Sequence, residues 1–297
     1  MSSQKSSTTI DFCFTEDFPS LEDGIFALSP ITKSSLKKIG LKKNYLKKSI
    51  KKRDVVKLPL NILNFGKINP VFLGQKPQVI FEDESFIIFS KPHRIHTHPL
   101  SYNESDNLLS FISVYNSSLL HVNQENFDRG FIYRLDYETS GLLYYAKTST
   151  VYFELRKNFK TLIRRKKYLA LVSGKVNESK VIHYLKTSDK KGSRVIQSDV
   201  GKRCELEIET LNYNESLDQS LLLINLKEGF KHQIRAQLAI LGSPIIGDPL
   251  YGGNYSERMW LHCYQYLFVY EGKKYEYCDK EINVDLFFNF NNFNSKP

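Results

Sequence analysis

From residue 78 onward the apolar positions fall into strand-like and helix-like rhythms. VIFEDESFIIFSK, residues 79–91, reads as two strands joined by the acidic turn Glu82-Asp83-Glu84. CELEIETLNY (204–213) alternates apolar and polar residues, and with SLLLINLKEG (220–229) it predicts an antiparallel pair. GLLYYAK (141–147), KKYLALVSGKV (166–176, ending at Gly174) and MWLHCYQYLFVY (259–270) predict further strands. LLSFISVYN (108–116) predicts a helix. So does HQIRAQLAILG (232–242), with Ile234, Leu238 and Leu241 on one face and Gly242 just past its end. Strands outnumber helices and do not alternate regularly with them. That order predicts an α+β domain on a mixed, largely antiparallel sheet with peripheral helices.

Before residue 78 the rhythm is weaker. Residues 1–30 are polar with scattered apolar positions and are expected to be weakly structured. In 31–75, Leu36 and Ile39, then Leu46 and Ile50, fall at helical spacing on either side of Gly40, and DVVKLPL (54–60) reads as a strand. The expected organisation is a small basic unit over 31–75, a main domain over 76–285 and a disordered tail, NFNNFNSKP, within 286–297.

Charge sharpens this division. The net charge is +10, and residues 33–57 carry eleven basic residues against one acid, Asp54, so the remainder is neutral. A localised basic stripe is the usual footprint of phosphate-backbone binding. Its candidates are Lys42, Lys43, Lys47, Lys48, Lys51, Lys52 and Arg53; a solvated tail is the plainer alternative. KKNYLKKSIKKRDVV (42–56) shows a short resemblance to the helix-turn-strand core of S4-type RNA-binding modules. No run of about 18 apolar residues predicts a membrane span. The opening MSSQKSSTTIDF shows no leader pattern. The four cysteines lie far apart without a CxxC pair, so neither a zinc ribbon nor a disulfide framework is expected, and a reduced, cytoplasmic setting is.

Candidate chemistry concentrates in three stretches. In FIYRLDYETSGLLYYAK (131–147), a strand would set Arg134 and Asp136 on one face and Leu135 in the core. Thr139 and Ser140 could then donate to the Asp136 carboxylate, and an ionised carboxylate so placed can act as nucleophile or base. A structural aspartate capping a turn is the competing reading. In LKEGFKHQIRAQLAILGSPIIGDPLYG (226–252), Lys231, His232 and Arg235 gather at a helix start. Lys91, which follows a strand, is a candidate RNA contact, as are Lys231 and His232; the nearby His96 and His98 have no third ligand at metal spacing, so no metal is expected.

Five of these stretches, in order, resemble the RluA-type family of pseudouridine synthases. SKPHRIHTHP (90–99) matches (N)KPxGxxxHP, and YRLDYETSGLLYYAK (133–147) matches HRLDxxTSGLLLxAK. KKYLALVSG (166–174) matches KxYxALVxG, and EGFKHQIRAQLAILGSPIIGDPLYG (228–252) matches GRxHQIRxxLAxxGxPIxGDxxYG. LHCYQYLF (261–268) matches LHAxxLxF.

The resemblance implies a sheet in two halves around a basic RNA-binding cleft. It implies Asp136 as the catalytic aspartate and Tyr168 as the aromatic that stacks on the target uracil. It implies Arg235, or less closely Lys231, as the cation paired with the aspartate, and Arg134 as a residue holding RNA with its base extruded. Isomerising uridine gains and loses no atom, so no cofactor is expected; the implied partner is ribosomal RNA or tRNA, and a monomer is the default. Three positions depart from the pattern: Tyr133 where His is usual, His93 where a small residue is usual, and Phe230 in the turn before Lys231-His232. A non-catalytic RNA-binding or ribosome-assembly protein on the same scaffold is the alternative. A two-carboxylate hydrolase lacks a second acid in a matching motif.

Overall fold

The computed structural model describes residues 9–29, 31–188 and 194–279, so the expected tail lies outside the described residues. The chain divides into two units, 1–74 with 98–116, and 75–97 with 117–297.

In the first unit, strand β1 (Thr9–Cys13) is followed by helices α1 (Leu21–Leu28), α2 (Lys33–Lys38) and α3 (Lys43–Leu46). Strand β2 (Val55–Pro59) pairs antiparallel with β1, and the short α4 (Leu60–Leu63) follows. Ser20 and Thr32 accept from Asp23 N and Ser35 N and so cap α1 and α2. Two short basic helices form on either side of Gly40, whose φ is +86°, but each ends short of its predicted spacing: Ile39 caps α2, and Ile50 lies past α3 in a bridge to Phe18. The segment expected to be weakly structured is instead built into the core from residue 9. Phe14, Leu21 and Ile25 bury against Leu36, Ile50 and Leu58, and Asp17 accepts from Lys52 N at 2.8 Å. Helix α5 (Leu108–Asn116), expected within the main domain, groups with this unit.

The second unit carries a ten-stranded sheet. Its strands are β3 (Gln78–Glu82), β4 (Phe86–Lys91), β5 (Ser140–Ala146), β6 (Ile163–Ser173) and β7 (Lys180–Thr187), then β8 (Val195–Gln197), β9 (Lys202–Asn214), β10 (Gln219–Leu226), β11 (Leu261–Tyr270) and β12 (Lys273–Cys278). The spatial order is β3-β4-β5-β11-β6-β10-β9-β7-β8, with β12 also on β11. Helices α6 (Ser149–Lys157), α7 (Phe159–Leu162) and α8 (Gln233–Ile240) complete the unit. Among the described residues no helix is long and apolar enough to cross a membrane.

One junction sets up the site. β5 and β11 run parallel and pair only at His262↔Ser140 and Cys263↔Gly141; from Gln265 onward β11 pairs instead with β12. The sheet is thus two antiparallel halves held at a short seam. Gly141 is required there: its φ is +112°, and a Cβ would fall on the Cys263 backbone.

Candidate active site

Arg134, Leu135 and Asp136 lie not on a strand but in the loop that enters β5, closed by a turn in which Thr139 N donates to Asp136 O at 3.1 Å. The loop is anchored on both sides of the aspartate. Leu135 is buried, and the Tyr133 ring stacks on Tyr266 at 4.6 Å while its hydroxyl donates to Leu142 O at 2.7 Å. The departure at Tyr133 is therefore a packing residue. Side-chain donors from Thr139 and Ser140 to Asp136 are expected from the sequence. Instead Ser140 Oγ meets His262 Nδ1 at 2.9 Å and accepts from Arg258 Nη2 at 2.7 Å.

The partner of Asp136 is Arg235. Its Nη1 donates to Asp136 Oδ2 at 3.1 Å, joining residues 99 apart in sequence. Of the two cations the resemblance offers, this is the one that touches the aspartate; Lys231 is exposed to solvent. Arg235 is 5% exposed, on the first turn of α8, and its remaining donors are fixed. Nε and Nη2 grip Asp248 Oδ2 and Oδ1 at 2.7 and 2.8 Å, a planar two-point interaction. Asp248, itself fully buried, also accepts from Leu250 N and Tyr251 N. Burial pulls the Arg235 guanidinium down, but Asp248 and Asp136 more than offset it, and it stays above its ordinary value.

His232 stands at the start of α8 in left-handed backbone, φ 50°. Its Nε2 is 3.8 Å from Asp136 Oδ2 and its Nδ1 is 3.1 Å from Tyr251 Oη. Burial lowers its pKa, with Asp136 opposing, so the ring is held towards its neutral form. Gln233 ties down the preceding turn by accepting from Gly229 N and Phe230 N at 3.0 and 2.9 Å. Tyr168, in register with Cys263 on β11, lines the same cavity as Arg134, Asp136, His232 and Arg235. Its burial raises the phenol well above 10, so it presents a neutral aromatic surface.

The other candidates separate. Arg134 lines the cavity with a side chain 58% exposed, its Nε 3.8 Å from Asp128 Oδ1. Lys91 corrects an expectation. It is 1% exposed, and its Nζ donates to the carbonyls of Pro92, Ile95 and Tyr137 at 2.8, 2.9 and 3.3 Å, so it pins backbone and cannot meet a phosphate from solution. His96 stacks on Tyr137 at 4.5 Å. Lys42, Lys43, Lys47, Lys48, Lys51, Lys52 and Arg53 are exposed in the first unit, with Lys51 paired to Asp17 at 3.0 Å. Asp248 and Tyr251 carry no role in the sequence reading although they stand in GDPLYG; an acid inside so apolar a run is the available signal.

A family model described as RNA pseudouridylate synthase matches residues 85–240. An uncharacterized RNA pseudouridine synthase of Helicobacter pylori is 36% identical over 181 residues, covering 59% of this chain and 57% of that protein. Ribosomal large subunit pseudouridine synthase D of Borreliella burgdorferi is 34% identical, covering 59% and 54%. The match thus spans less than two thirds of these relatives' length. The solved structure of human RNA Pseudouridylate Synthase Domain Containing 1 superposes with TM-score 0.57 at 21% identity, over 68% of this chain and 82% of that one, a likeness of fold. With the mixed sheet and the motif order, these matches establish that the chain belongs to the RluA-type family of RNA pseudouridylate synthases.

Proposed function

We propose that this protein isomerises specific uridines of structured RNA to pseudouridine, with large-subunit ribosomal RNA favoured over tRNA. The observation that carries the proposal is the 3.1 Å approach of Arg235 to Asp136 in a cavity that Tyr168 also lines. The relative named as a ribosomal large subunit enzyme and the basic first unit support the choice of RNA.

In the reaction the N1–C1′ bond of uridine breaks, the base turns, and C5 joins C1′. The C5 proton leaves to solvent and N1 takes one up, so composition is unchanged. Asp136 acts as nucleophile or as base towards the ribose. Arg235 pairs with that carboxylate and aims it, and Asp248 keeps Arg235 from following the substrate. A base in this cavity must first leave its stack, at a cost of a few kcal/mol that is smallest in loops and single strands. Stacking on Tyr168 returns about 1–3 kcal/mol of it.

The test uses RNA tritiated at uridine C5. The protein is mixed with unmodified ribosomal RNA and, separately, with unmodified tRNA. Release of tritium to water from ribosomal RNA is expected. Release from tRNA alone would reverse the substrate preference, and no release from either would count against isomerisation of both classes.

A further inference from the structure

The seam between β5 and β11 has a second face. Successive residues of a strand point to opposite sides of a sheet. Leu261 lines the cavity of Asp136, so His262 faces the other way, and it lines a separate cavity of about 240 Å³. That cavity is walled by Lys76, Ser90, Lys91, His93, Ser140, Arg258 and His262, with Gln75, Gln78 and Pro92, and no carboxylate is among its lining residues. Arg258 also lines the adjoining cavity, with Arg94, Tyr255 and Glu257.

Arg258 is the unusual member. It is part-buried, with Nη2 donating to Ser140 Oγ at 2.7 Å, Nε donating to Met259 O at 3.4 Å, and its guanidinium 4.8 Å from the Trp260 ring. Among the described residues no Asp or Glu is ion-paired with it. Burying a charge without a counter-charge is costly, and burial pulls this guanidinium down to about 10. Lys91 lies in the same wall, but its ammonium is held by three carbonyls and is not a phosphate ligand. Asp279, a buried acid beside this wall, accepts from Ser90 Oγ and lies 3.4 Å from His262 Nε2. The Arg258 guanidinium, Lys76 and the side-chain amides of Gln75 and Gln78 line one concavity, and a planar guanidinium without a carboxylate partner is a fitting receptor for a phosphate group.

We infer that the cavity around Arg258, on the sheet face opposite the Asp136 cavity, binds a phosphate group. The group could belong to an RNA backbone passing the far side of the seam or to a free nucleotide. Because Ser140 follows the Asp136 loop directly, an occupant there would touch the frame of the active site. The inference stands on this wall and does not depend on the isomerase reading, since its readouts need no turnover.

The test compares the full chain with Arg258→Met and Arg258→Lys. Thermal melts are taken in inorganic phosphate and in uridine 5′-monophosphate, against chloride at equal ionic strength. Wild type should gain several degrees of Tm over the chloride control, Arg258→Lys part of that gain, and Arg258→Met none. In chloride Arg258→Met should melt no lower than wild type, because the guanidinium it removes lacks a carboxylate. Kd for unmodified ribosomal RNA is then measured across a salt series. If the phosphate belongs to RNA, Arg258→Met should weaken binding about tenfold and reduce the salt slope by about one. If it belongs to a nucleotide, RNA binding should be unchanged while the nucleotide-dependent gain in Tm disappears. Equal Tm gains in phosphate and chloride, with RNA binding unchanged in both variants, would overturn the inference. So would a large loss of Tm in Arg258→Met in chloride together with no specific phosphate effect, which would make Arg258 a structural residue.

Discussion

Two arginines flank the same two-residue seam and live under opposite electrostatic rules. Arg235 is gripped by buried Asp248 and touches Asp136, and its charge is more secure than in water. Arg258 has a hydroxyl, a carbonyl and an indole face, and its charge is less secure than in water. Each guanidinium is set by its surroundings: one is held still to orient a carboxylate, the other offers an anion a place. The same residue type thus reads as a fixed component on one face of the sheet and as a receptor on the other.

The largest effect should come from breaking the compensated side. Arg235→Met strands the buried carboxylate of Asp248 and removes the partner of Asp136. Stability should fall by about 3–5 kcal/mol, the cost of one unpaired buried charge, and kcat by at least about 10²–10³-fold. Denaturant melts and C5-tritium release measure the two; a change under about 1 kcal/mol would show that Asp248 is not held as a buried ion.

Lys91 comes next, because its burial makes stability depend on pH. Burial pushes it down to about 7 from 10.5, with Asp136 and Glu138 opposing. The unfolded chain therefore binds the proton more tightly, and stability rises with pH through the window from about 7 to 10.5. The slope is at most about 1.4 kcal/mol per pH unit. The wild-type minus Lys91→Met difference in stability should show that rise; a flat difference would mean that Lys91 stays protonated throughout.

Asp248→Asn is a gentler break of the compensated side. It keeps the shape and removes the charge that fixes Arg235. A loss of about 1–3 kcal/mol is expected, with kcat down by up to about 10²-fold, as for a misaimed catalytic group, and KM nearly unchanged. A rise in KM at constant kcat would place Asp248 in substrate binding. The smallest effect belongs to the basic stripe of the first unit. Deleting residues 33–57 would remove Leu36, Leu46 and Ile50 from its core, so Lys47→Gln with Lys48→Gln is the cleaner change. Every lysine–phosphate pair so removed should lower the salt slope of RNA binding by about 0.7–0.9; an unchanged slope would return the stripe to a solvated surface.

How much of this is legible in the sequence depends on how local the cause is. The strands around Tyr168 and Leu222 and the helix of Arg235 announce themselves by periodicity, because their burial follows neighbours along the chain. The first thirty residues hide β1 and α1, because Leu21 and Ile25 give a single helical spacing beside a lone Phe14, too short a pattern to stand out, and become core only against Leu36, Ile50 and Leu58. Lys91 misleads because a lysine after a strand looks the same whether it faces phosphate or three carbonyls. The pairing of Arg235 with Asp136 follows from a resemblance and is met in the geometry. Its deeper support, Asp248, requires knowing which carboxylate the fold brings under the helix.

The most direct test of the central claim is C5-tritium release by Asp136→Asn beside wild type, with RNA affinity measured on the same preparations. The expected result is release abolished and Kd changed by no more than a few-fold, since Arg134, Tyr168 and the basic stripe remain. Release at the wild-type rate in Asp136→Asn would contradict an Asp136-centred isomerase.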